Sequence, residues 1–229
     1  INFLKMLVAL QLTIGTLKKN NLFVAIKGKK HDGNKFNLKA LNKGASYIVT
    51  SNKSNKNIKK LIKVKDTINF LNRFAKIKRD QSQAKIIAIT GSVGKTTLKN
   101  VLNQLLSKYY NTYASPKSFN NHYGVPTSLS NLNLGHQFGI FEVGMSKLGE
   151  INKLSRMIKP HIGIITNIGE AHLENFKNKK GIAEAKSEII NNISKGGTVI
   201  LNRDDKFFYF LNKKARYKKL KVISFGKNR

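Results

Sequence analysis

The chain has 229 residues, with 43 Lys or Arg against 11 Asp or Glu and a formal net charge of +32. It contains no Cys, which excludes disulfides and thiolate chemistry, and no apolar run near the roughly 18 residues that a membrane-spanning helix requires. The length accommodates one large domain or two modest ones. The lysines are dispersed rather than massed in a block interleaved with aromatics, so the charge reads as solvated surface rather than a nucleic-acid-binding face.

Residues 1–12 are apolar but lack a small-residue cleavage site and begin without Met, so they read as a truncated or altered start rather than a signal peptide. Residues 1–21 carry no clear element. From there the pattern predicts a strand at 22–26, turns around Gly28 and Gly33, a short helix at 36–42 closed by Gly44, and a second strand at 47–50. Residues 53–60 are a polar Lys/Asn loop, 62–64 a short strand, and 67–79 a helix with Ile68, Leu71, Phe74 and Ala75 on one face. The polar stretch 79–83 reads as a linker, which places a first domain at 1–82 and a second at 83–229.

The second part alternates regularly. Strands are predicted at 86–90, 112–114, 138–143, 161–166, 197–201 and 221–225, and helices at 95–108, 125–132, 149–158, 181–193 and 204–214. That alternation predicts an α/β fold with a mostly parallel sheet flanked by helices. Ligands of such sheets sit at the carboxyl ends of the strands.

The chemistry falls at those ends. Residues 86–90 are a buried β-branched strand, GSVGKTT follows at 91–97, and Leu98, Val101, Leu102, Leu105 and Leu106 continue as a helix. Strand, glycine turn and helix N-terminus make a phosphate cradle: Gly91 and Gly94 free the backbone to turn inward, and the helix dipole favours an anion. Lys95 is placed to reach terminal phosphates and the Thr96 hydroxyl a Mg²⁺. The full P-loop pattern has Gly where Ile89 stands, so what remains is the shorter GxxGKTT; alone, that could be an ordinary glycine turn.

Residues 81–141 hold no Asp or Glu, and the strand at 138–143 then ends in Glu142. A P-loop enzyme needs an acid at such a position to hold Mg²⁺, and a helix cap or solvent-facing side chain is the alternative. His172, in the polar loop after the next strand, is either a second metal ligand or an exposed loop residue. Asn120 and Asn121 precede a helix and could serve phosphate, metal or substrate, or only cap and turn. Lys186 lies on an amphipathic segment between Ala185 and Ile189, and spacing takes it no further.

In order, GSVGKTT, FNNHYGVP, FEVG with a following LGEI, TNIGEAHLENF and GIAEAKSEI resemble the Mur ligases of peptidoglycan synthesis. Within them the NNxxGVP loop, the Gly-Glu-Ile and the HLExF ending are most similar to the members that join D-alanyl-D-alanine to a UDP-N-acetylmuramoyl-tripeptide. The segment 20–49 resembles the N-terminal UDP-substrate-binding domain of the family. The resemblance implies a cytoplasmic, ATP-dependent, monomeric amide-bond ligase acting through an acyl phosphate, with no nucleic-acid partner. It implies that Gly91, Ser92, Val93, Gly94, Lys95, Thr96, Thr97 and Asn121 bind ATP, and that Thr96 and Glu142 hold a first Mg²⁺. It further implies that His172 and a carbamylated Lys186 hold a second Mg²⁺, with Lys95, Lys186 and His172 as the catalytic group. Asn202, Asp204 and Asp205 match an NxDD segment of the family.

Two departures accompany it. The family carries Asp-Ser-Arg where Thr13-Ile14-Gly15 stand here, which is where it contacts the UDP moiety. The family also continues through the rest of the ATPase domain and a third domain, so the chain is expected to be an N-terminal portion that does not complete the reaction by itself. The alternatives are a non-catalytic nucleotide- or UDP-sugar-binding fragment, another Mur-type ligase such as the tripeptide-forming one, and a basic P-loop ATPase acting on nucleic acid.

Overall fold

The computed structural model describes residues 9–28, 31–52, 60–170, 175–176 and 178–227. The chain divides into two compact units, Ile1–Lys78 and Arg79–Arg229.

The first unit is built on a four-stranded parallel sheet in the order β1 (Leu10–Gln11), β2 (Leu22–Val24), β3 (Tyr47–Thr50), β4 (Leu61–Lys63). Alternation of side chains along β2 decides its two cores. Leu22 and Val24 point to one face with Leu10, Val49, Leu71 and Phe74, whereas Phe23 and Ala25 point to the other with Leu17, Ala40, Ala45 and Ile48. The first face is covered by α2 (Thr67–Gln81), the second by α1 (Asn37–Asn42). The sequence places a helix over 36–42; a 3₁₀ turn at Gly33–Phe36 precedes it, because Asp32 accepts from the Asn34 amide and tightens the entry. The strand expected to run to Ile26 ends at Val24, and β1 lies within the stretch that sequence pattern leaves unassigned.

The second unit holds a six-stranded, wholly parallel sheet in the order β10 (Lys221–Phe225), β9 (Thr198–Asn202), β8 (Ile162–Ile165), β5 (Lys85–Thr90), β7 (Phe138–Glu142), β6 (Thr112–Ala114). Every connection is a crossover through a helix or helical segment. After β5 the chain moves outward through α3 (Lys95–Leu106) to the edge strand β6. It returns to β7 through α4 (Gly124–Ser130), then crosses to the far side of β5 through α5 (Glu150–Ile158). The strand order therefore reverses about β5, and the crevice at its carboxyl end is where such sheets bind ligands.

Packing explains why β5 is central. Ile87 and Ile89 join Ile140 and Ile164 on one face, where Leu98, Leu102 and Leu106 of α3 close over them at four-residue spacing. Ile86 and Ala88, on the opposite face, are also fully buried, so the strand is covered on both sides. Each buried Ile contributes about 2 kcal/mol of burial free energy. Val101 and Leu105, predicted to share that apolar stripe, are instead 45% and 52% exposed, because a helix on one sheet face buries a single narrow row.

Two helices differ most from expectation. The segment 181–193 is α6 (Lys179–Ser187) followed by a 3₁₀ run at Glu188–Asn192, and the helix expected from 204 is α7 (Phe208–Tyr217). The late start of α7 has a local cause: Asn202 and Asp205 accept hydrogen bonds from the amides of Asp204 and Phe207, which holds that stretch as turn.

Candidate active site

Thr90 ends β5 fully buried, and Gly91 leaves it with φ 150°. A Cβ built at Gly91 would lie 1.8 Å from Thr166 Oγ1, so only glycine lets the strand ends after β5 and β8 approach this closely. Gly94 has φ 81° and stands at the N-cap of α3 with no side-chain cap hydrogen bond. The first amides of α3 therefore face outward uncapped, which is the arrangement that favours an anion.

The loop in between is anchored to the segment that follows β8. The Ser92 amide donates to the Asn167 carbonyl at 3.0 Å and the Val93 amide to Asn167 Oδ1 at 3.1 Å. Thr166 Oγ1 donates to the Val93 carbonyl at 2.7 Å, and the Gly169 amide donates to Ser92 Oγ at 2.8 Å. Sequence reasoning assigned Ser92 and Val93 to phosphate; in this structure their amides serve the anchor. Thr97 is exposed on the first turn of α3.

Three side chains from two segments, α3 and the loop before α4, converge on Glu142, at the end of β7 and 1% exposed. Thr96 Oγ1 donates to Oε2 at 2.8 Å, Asn120 Nδ2 donates to Oε1 at 2.7 Å, and Lys99 Nζ lies 3.9 Å from Oε2. Thr96 and Glu142, expected to act together, are thus brought together. Lys99 was not anticipated, although a signal existed. It stands four residues after Lys95 and three after Thr96, on the same helix face, in a stretch whose nearest following acid is Glu142.

Lys95 Nζ turns back onto its own loop and donates to the carbonyls of Gly91 at 2.9 Å and Ser92 at 3.3 Å. Burial lowers its pKa from the usual lysine value, with Glu142 opposing. Lys186 on α6 is 2% exposed and donates to the Gly91 carbonyl at 3.0 Å. Burial, and secondarily the charge of Lys95, push its pKa down to about 7. A lysine in that state offers a substantial fraction of free amine at neutral pH.

Beside these groups opens a pocket of about 570 Å³ lined by Lys95, Lys186, Asn120, Asn121, His122, Glu150 and Lys153, among others. Asn121 accepts from the amides of Tyr123 and Gly124, so it caps α4 as well as lining the pocket. His172 lies outside the described residues. Asp205 accepts from the Ile168 amide at 2.6 Å and from Phe207, tying the loop after β8 to the start of α7. Asp204 accepts from the Lys227 amide. In the first unit, residues at and flanking 13–15 form a hydrogen-bonded set in which Thr16 Oγ1 meets Thr13 Oγ1 at 2.9 Å and Gln11 Oε1 at 2.8 Å.

Uncapped backbone amides, two lysines and hard oxygen donors meet at the switch point of a parallel sheet, and together they define a P-loop protein of the α/β class. More specifically, the chain belongs to the Mur ligase family. Residues 89–229 match the Mur ligase middle domain and residues 15–80 match the Mur ligase family catalytic domain. The chain is 42% identical over 187 residues to the UDP-N-acetylmuramoyl-tripeptide–D-alanyl-D-alanine ligase of Rickettsia prowazekii, covering 81% of this chain and 41% of that protein. Among solved structures, MurF from Acinetobacter baumannii superposes with a TM-score of 0.84 at 32% identity, over 96% of this chain and 48% of that one. MurF ligase from Thermotoga maritima in complex with ADP gives a TM-score of 0.82 at 30% identity, over 99% and 52%. The chain spans about two fifths to one half of the length of these relatives.

Proposed function

We propose that this chain carries the UDP-substrate-binding part (1–82) and the nucleotide-binding part (83–229) of an ATP-dependent ligase. The reaction is addition of D-alanyl-D-alanine to a UDP-N-acetylmuramoyl-tripeptide in cytoplasmic peptidoglycan synthesis, by a monomeric enzyme. The observation that carries this reading is the meeting of Lys186 with Lys95 at the Gly91 carbonyl, which sets a buried second lysine against the phosphate loop. Among the described residues no helix is long and apolar enough to cross a membrane.

The donor set fits a hard divalent cation. Thr96 Oγ1 and a Glu142 oxygen are hard oxygen donors 2.8 Å apart on a buried carboxylate beside the phosphate loop, and they would hold the first Mg²⁺. Bound there with ATP, Mg²⁺ supplies charge neutralisation for the phosphates. Joining a carboxylate to an amine requires activation: the terminal carboxylate of the tripeptide takes the γ-phosphoryl group of ATP and releases ADP, and the amine of D-alanyl-D-alanine then displaces phosphate from the acyl phosphate and loses a proton. Lys95 then leaves its loop carbonyls for the terminal phosphates, offsetting the charge of two anions brought together. The uncapped amides of α3 hold the phosphate chain in place. Neutral Lys186 Nζ attacks the carbon of CO₂ and passes a proton to solvent, giving a carbamate. A side chain that is otherwise neutral or +1 thus becomes −1 and, with His172, would serve a second Mg²⁺.

The test is phosphate release from ATP by the protein in its full natural length. Release is expected only when the UDP-linked tripeptide and D-alanyl-D-alanine are supplied together. Release stimulated by DNA or RNA instead would overturn the reading.

A further inference from the structure

Lys99 is a buried cation that the reaction as described does not use. Both it and Glu142 are 1% exposed, and their charged groups lie 3.9 Å apart. Its Nζ also donates to the carbonyl of Lys117, a residue held at φ 47° in the loop that carries Asn120. Lys99 thus joins α3, the end of β7 and the 115–120 loop, one helical turn behind Thr96.

We infer that Lys99 is a positioning residue that makes the Thr96–Glu142 site accept a divalent cation together with nucleotide and reject the bare ion. This rests on the reading of Thr96 and Glu142 as the metal site. A carboxylate already neutralised by a buried ammonium offers a bare dication little net attraction, and the ammonium adds repulsion at short range in a low-dielectric setting. A cation carried by polyphosphate arrives as a net anion, which the same ammonium attracts. Meanwhile Thr96 and Asn120 keep the carboxylate aimed while the site waits, since each holds a different oxygen. The selection is electrostatic and the orientation comes from hydrogen bonds, so the two are separable by substitution.

The experiment is Mn²⁺ binding to the chain, followed by electron paramagnetic resonance and calorimetry, with and without ADP. The unsubstituted chain should bind Mn²⁺ at this site only with ADP present; tight binding of bare Mn²⁺ that Glu142→Gln abolishes would overturn the inference by itself. Lys99→Met should bind bare Mn²⁺ at least about tenfold more tightly, and the Mn²⁺–ADP complex more weakly. Lys99→Gln, which keeps a donor for the Lys117 carbonyl, covers the case in which Met prevents folding and should shift the same way. Lys99→Arg keeps the charge and should stay close to the parent chain. Unchanged or weaker bare-Mn²⁺ binding in the neutral variants refutes the role of Lys99. If Glu142→Gln leaves Mn²⁺–ADP binding intact, the fault lies instead in the assignment of the metal site.

Discussion

Lys95 and Lys186 share one acceptor: both ammonium groups donate to the carbonyl oxygen of Gly91, at 2.9 and 3.0 Å. Residues 91 apart in sequence are thereby brought to a single backbone atom of the phosphate loop. The carbonyl that restrains Lys95 in this state also holds the lysine whose charge the proposed modification inverts.

Lys186→Ala is expected to abolish ligation without unfolding the protein, because among the described residues its amine has a single carbonyl partner and its removal also relieves repulsion with Lys95. The thermal midpoint should stay equal or rise. Formate or acetate should restore part of the activity by supplying the missing carboxylate oxygens. Retention of full activity in the substituted enzyme would take Lys186 out of the site.

Gly91→Ala puts a methyl group where Thr166 Oγ1 stands, at a backbone angle L-residues rarely adopt. Loss of about 1–3 kcal/mol is expected, read from denaturant midpoints at constant slope. ADP binding should weaken as well, because Thr166 anchors the Val93 carbonyl. The double variant with Thr166→Ala removes the Oγ1 overlap but leaves the backbone strain and the contacts with Cβ and N of residue 166, so it should recover only part of the stability and none of the binding.

Arg79 is 7% exposed and caps the end of α5 by donating from Nε to the Ile158 carbonyl at 2.6 Å and from Nη2 to the Lys159 carbonyl at 2.8 Å. A guanidinium at a helix C-terminus also meets the negative end of the helix dipole. Arg79→Ala should cost about 2–3 kcal/mol, since one buried and one partly buried carbonyl lose charged donors. Arg79→Lys should recover only part of it, as one ammonium cannot reproduce the fork. Chemical unfolding of the three proteins side by side measures both differences.

His161 accepts the Ile86 amide hydrogen bond on Nδ1 at 2.9 Å, tying β8 to β5. Burial, with Arg79 and Lys85 nearby, lowers its pKa below the usual value of about 6.5. Between the lowered value and 6.5 the unfolded chain binds more protons than the folded one, so this contribution to stability is complete above pH 6.5 and is lost as pH falls below it. His161→Asn, which offers Oδ1 to the same amide, should flatten that part of the profile in thermal melts between pH 7 and pH 5. An unchanged slope would show that His161 does not carry it.

Much of this was legible before folding. The strands and helices of the second unit follow from alternation of apolar runs with four-residue periodicity, and β5, α3 and β7 fall within a residue or two of their expected bounds. Thr96 and Glu142 could be paired because each is tied to a strand end by a short connection, and strand ends of a parallel sheet converge on one edge. Boundaries near 36 and 204 were less legible. There the side chains of Asp32 and Asp205 compete locally for backbone amides, and a hydrophobic pattern carries no record of that competition.

What the sequence determined by itself was local: a glycine turn between a buried strand and a helix, and a solitary acid closing an acid-free stretch. The motif order of a Mur ligase was legible there too. Tertiary structure alone decided which of 43 basic residues are buried. Lys99 looks like any other lysine in this composition, and Lys186 stands out only through the family resemblance, because periodicity reports the face a residue occupies and not what packs against it. Only when β5, β7 and β8 lie side by side does Glu142 meet Lys99, Lys186 reach Gly91, and Asn167 take the amides of Ser92 and Val93. Electrostatic partnership depends on distance and dielectric, and both come into being only with the fold.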